Sequence, residues 1–127
     1  MRRFVIPLLF ATVAYAGNPP EPKVVSLSGD GKEVPILTGV PESAGMRSGR
    51  ILLAPGESVG EHTTGDHEEV LVVLEGRGEI VLNGSRKLPV EANHAVYCPP
   101  RTVHNVTNTG TVPLRYVYVV APVTASN

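Results

Sequence analysis

The order of apolar and polar residues along the chain predicts many short β-strands. The clearest is the stretch 114–120, where alternation places Leu114, Tyr116, Tyr118 and Val120 on one face. No stretch is predicted to be a helix. Similar short runs bounded by turn-forming residues predict further strands at 23–28, 33–38, 50–54, 69–74, 79–82, 85–90, 95–98 and 103–107. The pattern therefore predicts an all-β protein, an antiparallel sandwich or barrel, and a jelly roll meets that description.

The strand that begins at Glu69 is unusual because both of its faces are apolar. Glu69, Leu71 and Val73 share one face, and the residues between them, all valine or leucine, share the other. Such a strand is expected between two layers, with Glu69 at the mouth of a closed interior. A lone carboxylate there is costly, so a partner is expected, and His62 and His67 are the candidates. A metal ion held by imidazole and carboxylate groups would neutralise the charge.

Turn signals set the connections between the predicted strands. Asn83-Gly84 lies between two alternating runs and predicts a tight hairpin, because this type of turn needs positive φ at both positions. The segment 29–31 is a similar turn signal, so the strands at 23–28 and 33–38 are expected to form a hairpin. Asn108 is expected to hold its own turn through bonds from its side chain to the backbone.

The first sixteen residues have the features of a secretory signal peptide. Arg2 and Arg3 precede an apolar run, and Ala14-Tyr15-Ala16 is a small-residue cleavage site. The run is too short to span a membrane, so no membrane attachment is expected after cleavage. The mature protein is predicted to start near Gly17 and to be periplasmic or secreted.

Length and composition indicate one domain after this leader. We expect a linker at 17–22, N-terminal strands and a loop at 23–49, a barrel core at 50–120 and a tail at 121–127. Removing Arg2 and Arg3 from the 11 lysines and arginines leaves 9 against 12 acidic residues, a net charge of −3. Nucleic acid is not an expected partner of such a chain. Cys98 is the only cysteine, so no intrachain disulfide forms, and we interpret it as a small buried residue.

Two spaced motifs resemble those of the cupin superfamily. The first cupin motif is matched by Gly56, His62, Glu69 and Gly76, with Thr64 where the family usually has a second histidine. The second motif is matched in spacing by Asn93, Pro99, Arg101, His104 and Asn108. Asn93 and Arg101 replace two glycines of that motif. The resemblance covers roughly 50–120 and implies an antiparallel jelly-roll β-barrel.

The resemblance also implies a metal site inside the barrel. His62, Glu69 and His104 take three of the family's four ligand positions, and the fourth falls on Thr64, whose hydroxyl is a poor ligand for a transition metal. The site then either keeps three protein ligands and a water, or borrows His67. Two histidines and one carboxylate suit a divalent transition metal such as Fe, Mn, Ni or Zn.

Such a site is compatible with three functions. One is a metal-dependent oxygenase or isomerase that acts on a small metabolite; another is a non-catalytic module that binds a small molecule or sugar; a third is a structural barrel whose site has decayed. The pocket is expected to be lined by Thr64, Leu71, Val73 and Tyr116. Arg101 could recognise an anion, although an exposed loop arginine is the simpler interpretation. Because cupins commonly pair into dimers, the resemblance also implies a possible homodimer, with the strands of 23–38 as its seam.

Overall fold

A computed structural model describes residues 18–124 and contains nine strands. They are β1 (Glu33–Thr38), β2 (Arg47–Leu53), β3 (His62–Thr63), β4 (His67–Glu75), β5 (Arg77–Leu82), β6 (Arg86–Glu91), β7 (Ala95–Cys98), β8 (Val103–Asn108) and β9 (Leu114–Pro122). These residues contain no helix, which confirms the all-β prediction. None of them therefore forms a helix of the length and apolarity that crossing a membrane requires.

The strands form two antiparallel sheets that face each other. One sheet has the order β1-β2-β9-β4-β7, and the other has the order β3-β8-β5-β6. The core lies between them and is built from inward-facing residues of both sheets: Leu53, Leu71, Val73, Ile80, Leu82, Val90, Cys98, Val106, Leu114 and Tyr116. This arrangement is the antiparallel jelly roll that the strand pattern and the motifs predicted.

Turns that need a left-handed backbone lie where the sequence predicted them. Asn83 and Gly84 have φ values of 49° and 75° in the β5–β6 hairpin, and Asn93 has a φ of 70°. Gly76 joins β4 to β5 with a φ of 79°, and a Cβ atom there would lie 2.4 Å from the carbonyl oxygen of Pro113. Both the backbone angle and the space therefore require glycine at position 76.

The predicted strand at 23–28 is wrong. This segment pairs with no strand of residues 18–124, and β1 pairs with β2 instead of forming a hairpin with it. Guanidinium groups take the place of a neighbouring strand, because Arg50 and Arg115 donate hydrogen bonds to the carbonyl oxygens of Leu27 and Gly29. Side chains, not a β-ladder, hold this part of the chain.

The prediction that β4 is buried on both faces is also wrong. Leu71 and Val73 are buried against the other sheet, but Val70, Val72 and Leu74 are 39%, 37% and 43% exposed. No layer covers that face within residues 18–124. An apolar residue on an outer face costs little, so apolar residues on both faces do not require two covering layers.

The predicted signal peptide, 1–16, lies outside the described residues, as do Gly17 and 125–127. The leader and the export that it implies remain predictions. Asn108 behaves as expected: its side-chain amide donates to the carbonyl oxygens of Leu53 and Val112, and its side-chain oxygen accepts from the backbone of Gly110.

Candidate metal site

Strands from both sheets bring His62, Glu69 and His104 together. His62 on β3 lies directly opposite His104 on β8, and Glu69 reaches them from β4 on the facing sheet. The two imidazole rings are 4.2 Å apart between centroids and tilted by 59°. One ligand atom from each of the three residues lies within 4.8 Å of the others. The three groups that the motifs selected therefore converge inside the barrel.

Backbone carbonyl groups orient both histidines. Nδ1 of His62 lies 2.9 Å from the carbonyl oxygen of Gly60, and Nδ1 of His104 lies 3.2 Å from that of Thr102. A carbonyl oxygen only accepts hydrogen bonds, so each Nδ1 carries the proton, and we assign the tautomer on that basis. Nε2 of a neutral ring is then left with a lone pair, which is the arrangement of a histidine that binds a metal through Nε2.

The buried end of the cluster has one polar atom without a hydrogen bond. Nε2 of His104 lies 2.8 Å from Oε2 of Glu69, yet the two groups are not aligned as donor and acceptor, and Nε2 has no hydrogen-bond partner among residues 18–124. His104 is 1% exposed and Glu69 is 7% exposed. The carboxylate raises the pKa of His104 above its usual range, and burial opposes that effect. A cation placed between the two groups would satisfy both.

The cluster opens into a cavity of about 340 Å³, a size typical of small-molecule sites. His62 is exposed and lies on the open side, whereas Glu69 and His104 form the buried end. Apolar residues of both sheets make up much of the wall, including Ile51, Leu71, Val106 and Val120. The cavity therefore offers a ligand an apolar surface with polar groups at particular points.

The other predicted site residues have different positions. Leu71 and Tyr116 line the cavity as expected, and so does Thr64. Val73 does not line it: this residue lies four positions beyond Glu69 on β4, about 13 Å deeper in the barrel, where it packs in the core. His67 lines the same cavity but is not a member of the three-residue cluster.

The hydroxyl group of Thr64 is already occupied. It donates to the carbonyl oxygen of Pro99 at 2.7 Å and accepts from the backbone N–H of Thr102 at 3.0 Å. Thr64 is 8% exposed. The residue at the family's fourth ligand position therefore connects the end of β3 to the loop before β8, and its oxygen is directed at the backbone.

Two residues outside the cluster complete the surroundings of the site. Cys98 pairs with Glu69 across β7 and β4, is fully buried, and has its pKa raised to about 11 by burial, so it is a thiol and not a thiolate. Arg101, the loop arginine considered for anion recognition, is exposed and does not line the cavity. Its φ of 53° matches its place at a glycine position of the motif.

Sequence reasoning missed four polar residues of the cavity. These are Arg47, Glu33, Tyr118 and Thr63. Arg47 and Glu33 lie on β2 and β1, before the first motif, so no motif spacing includes them. Parity along the last strand placed Tyr118 on the same face as Tyr116, and that signal could have found it.

The fold and the cluster define a small double-sheet β-barrel with a candidate metal site in its interior. The chain belongs to the Cupin domain family, whose sequence pattern matches residues 49–120, more than half of the chain. This match confirms the family resemblance that the two motifs indicated.

The chain is also similar to known proteins in sequence and in structure. The chain is 35% identical over 85 residues to the tetracenomycin polyketide synthase protein TcmJ of Streptomyces glaucescens; the match covers 65% of this chain and 56% of that protein. Its structure is similar to that of BH2720 from Bacillus halodurans, with a TM-score of 0.71, 25% identity and coverage of 91% and 90% of the two chains. A cupin 2 conserved barrel domain protein of Salinispora arenicola is also 25% identical, with a TM-score of 0.63 and coverage of 82% and 90%.

Proposed function

We propose that this protein is an exported cupin that binds a divalent transition metal through His62, Glu69 and His104 and uses it to act on a small molecule in the adjoining cavity. The observation that carries the proposal is the buried Nε2 of His104, which faces the Glu69 carboxylate at 2.8 Å without an aligned hydrogen bond. A buried polar atom left in this state costs about 1–3 kcal/mol. Metal binding would recover that cost.

The donor set fits such a metal. Two imidazole nitrogens and one carboxylate oxygen suit Fe, Mn, Ni or Zn, and three protein ligands leave coordination positions open. When bound, the metal would supply Lewis-acid chemistry or, as iron, chemistry with dioxygen. The chain's own contribution is to hold both histidines through the carbonyl oxygens of Gly60 and Thr102 and to exclude water from the Glu69 side.

The test is metal binding by purified protein. Titration calorimetry with Mn²⁺ or Zn²⁺ is expected to give one site per chain, and His62→Ala and His104→Ala should each weaken binding by about 100-fold or more. His67→Ala is the matched control, because His67 lines the same cavity outside the cluster. Equal, weak binding by all four proteins would remove the proposal. A loss in His67→Ala as large as that in His62→Ala would instead make His67 a fourth ligand.

The position of Thr64 is relevant to whether the protein is an oxygenase or isomerase or a non-catalytic binding module, because it determines how many ligands the protein gives the metal. Its hydroxyl is bonded to the backbone, which leaves the metal with three protein ligands and favours open positions for a substrate. Dioxygen uptake by the iron-loaded protein in the presence of small oxygen-rich acids would support the oxygenase. Tight ligand binding that is the same with Zn²⁺ and Fe²⁺, with no turnover, would support the binding module.

Export and dimer formation are separate parts of the proposal. The leader at 1–16 supports export. Mass spectrometry of the processed protein is expected to give the mass of a chain that begins at Gly17. Dimer formation through 23–38 is supported by β1, which lies at the edge of the five-stranded sheet and, among residues 18–124, pairs only with β2. Sedimentation that shows a monomer at high concentration would contradict that seam.

A further inference from the structure

Arg47 faces the same cavity as the metal cluster from the opposite part of the sheet. Strand β9 separates β2 from β4, and its residue Val120 pairs with Arg47 on one side and with Glu69 on the other. The three residues therefore form one row on the inner face of the sheet. Neighbouring strands are about 4.8 Å apart, so the Cα atoms of Arg47 and Glu69 are separated by roughly 10 Å.

The charge of Arg47 has no partner in the described part of the chain. None of the ion pairs of residues 18–124 includes it. Its aliphatic stem passes over Gly39, where a Cβ atom would lie 3.6 Å from its Cγ. Arg47 is exposed at the mouth of the cavity, so its guanidinium group is open to a ligand.

An acid of the cavity on the β1 side, Glu33, is already hydrogen-bonded to a tyrosine. Glu33 lines the cavity and accepts a hydrogen bond of 2.7 Å from the hydroxyl group of Tyr118. The ring of Tyr118 lies across Gly49, where a Cβ atom would be only 2.8 Å from the hydroxyl oxygen. Glycine at position 49 thus leaves room for the tyrosine to hold Glu33 on the β1 side of the cavity.

A third polar group also lines the cavity. Tyr116 is 3% exposed and lines the cavity, and its hydroxyl group makes no hydrogen bond within residues 18–124. It can donate to an oxygen atom of a ligand. Glu33 and Glu69 are the acids of the cavity, and one arginine together with a bound divalent cation would leave it with net positive charge.

We propose that Arg47 is the residue that selects the ligand, and that the ligand is a small carboxylate with a second oxygen donor. Its carboxylate group binds the guanidinium of Arg47, and its other end faces His62, Glu69 and His104. Arginine binds a carboxylate through two parallel hydrogen bonds, which fixes orientation as well as charge. This inference rests on the proposed metal site, since the second donor is directed to that site.

The experiment titrates succinate into the manganese-loaded protein by calorimetry, with the neutral diamide of succinate as the ligand control. Wild-type protein is expected to bind succinate and not the diamide. Arg47→Gln should weaken succinate binding by about tenfold, a modest factor because the arginine is partly in water. Arg47→Lys keeps the positive charge but cannot form the two parallel hydrogen bonds, so its affinity for succinate should lie between those of the wild type and Arg47→Gln. Arg101→Gln is the matched control and should bind succinate like the wild type, because Arg101 lies outside the cavity.

Manganese binding is measured in the same variants so that the two proposals can fail separately. Normal manganese affinity in Arg47→Gln together with weakened succinate binding supports the inference. Normal manganese affinity with succinate binding that is absent, or unchanged by Arg47→Gln, overturns it and leaves the metal site standing. A loss of succinate in His67→Gln but not in Arg47→Gln also overturns it. If manganese does not bind to the wild type, the proposed function fails; succinate binding that still depends on Arg47 would then support the arginine's role alone.

Discussion

Two buried ionisable side chains of the barrel, Arg50 and His104, differ in whether their nitrogen atoms have hydrogen-bond partners. Arg50 lies on the outer side of the five-stranded sheet and is fully buried. Each of its three guanidinium nitrogens donates to a backbone carbonyl group, of Leu27, Gly31 and Gly29. His104 lies on the inner side of the other sheet, equally buried, with Nε2 unsatisfied. Each guanidinium nitrogen of Arg50 has a hydrogen-bond partner, whereas Nε2 of His104 has none among residues 18–124.

This difference separates a structural role from a binding role. A buried group whose polar atoms all have hydrogen-bond partners inside the chain stabilises the fold. A buried atom without a partner costs stability, and it is retained where a ligand or ion completes it. Arg50 therefore fixes the N-terminal segment, whereas the unpartnered Nε2 of His104 supports the metal-binding role that we propose for it.

The largest effect is expected on the structural side, for Arg50→Met. The substitution removes three hydrogen bonds from a charged donor and leaves their carbonyl acceptors poorly satisfied, so the free energy of unfolding should fall by about 3 kcal/mol. Urea unfolding measures it. Arg115→Met is the control: Arg115 is only partly buried and shares two of the same acceptors, so its loss should cost about 1 kcal/mol. Equal costs for the two variants, or a loss of metal affinity in Arg50→Met, would contradict the comparison.

Glu69→Gln should have the next largest effect and act on the binding side. Loss of the carboxylate is expected to weaken Mn²⁺ binding by about 100-fold, while the metal-free protein should be as stable as the wild type or up to about 1 kcal/mol more stable. The physical reason is that the new amide group can donate to Nε2 of His104. Calorimetry and urea unfolding measure the two quantities at pH 8.

Glu68→Gln is the matched control for that variant. Glu68 is the neighbouring residue, exposed on the outer face, where it accepts a hydrogen bond from Tyr97. Manganese affinity should be unchanged in it. A metal-free Glu69→Gln protein that is several kcal/mol less stable than the wild type would mean that the His104–Glu69 contact is structural after all.

Much of the site could be predicted because its signals are local in sequence. The resemblance of the two motifs to the cupin superfamily implied His62, Glu69 and His104 as ligands, and the barrel brings their ligand atoms together. Asn83-Gly84 predicted its hairpin because two adjacent residues determine the turn. Information that is contained within a few residues of the chain can be interpreted without knowing the fold.

The remainder depends on contacts between distant residues. Arg47 faces the cluster only because β2, β9 and β4 are neighbours in a given register, which one sequence does not specify. Arg50 would be expected at the surface, and its acceptors lie 19 to 23 residues earlier in the chain. The incorrect strand at 23–28 has the same origin, since its pattern suited a strand but its partners are side chains.

The pH dependence of stability in the metal-free protein and of manganese affinity should further distinguish a binding role of His104 from a structural one. The pKa of His104 is raised by Glu69, so in metal-free protein this pair adds stability that is fully present below the unfolded pKa, about 6.5, and is lost as the pH rises through the folded pKa. Metal binding requires the neutral ring, so manganese affinity should rise over the same interval, by about tenfold per pH unit below the pKa of His104.

Thermal unfolding with and without Mn²⁺, and calorimetry with Mn²⁺, between pH 5 and 9 measure these two trends. As the pH rises, the contribution of the pair to stability falls and manganese affinity increases. His94→Gln is the control, since His94 is an exposed histidine 3.8 Å from Glu91 and remote from the cavity. Both slopes should persist in it. Parallel slopes in the metal-free and metal-loaded proteins would show that proton and metal do not compete for His104.

The smallest effect is expected at Thr64, which lies at a ligand position of the family but has its hydroxyl satisfied like the donors of Arg50. Thr64→Ser keeps the oxygen that bridges Pro99 and Thr102, so stability should change by less than about 1 kcal/mol and manganese affinity by less than about threefold. Thr64→Val removes the oxygen and should cost about 1–2 kcal/mol of stability, again with little change in affinity. If Thr64→Val weakened metal binding as strongly as Glu69→Gln, the hydroxyl group would take part in metal binding. Hydrogen bonds made within the chain would then no longer distinguish structural groups from metal-binding groups.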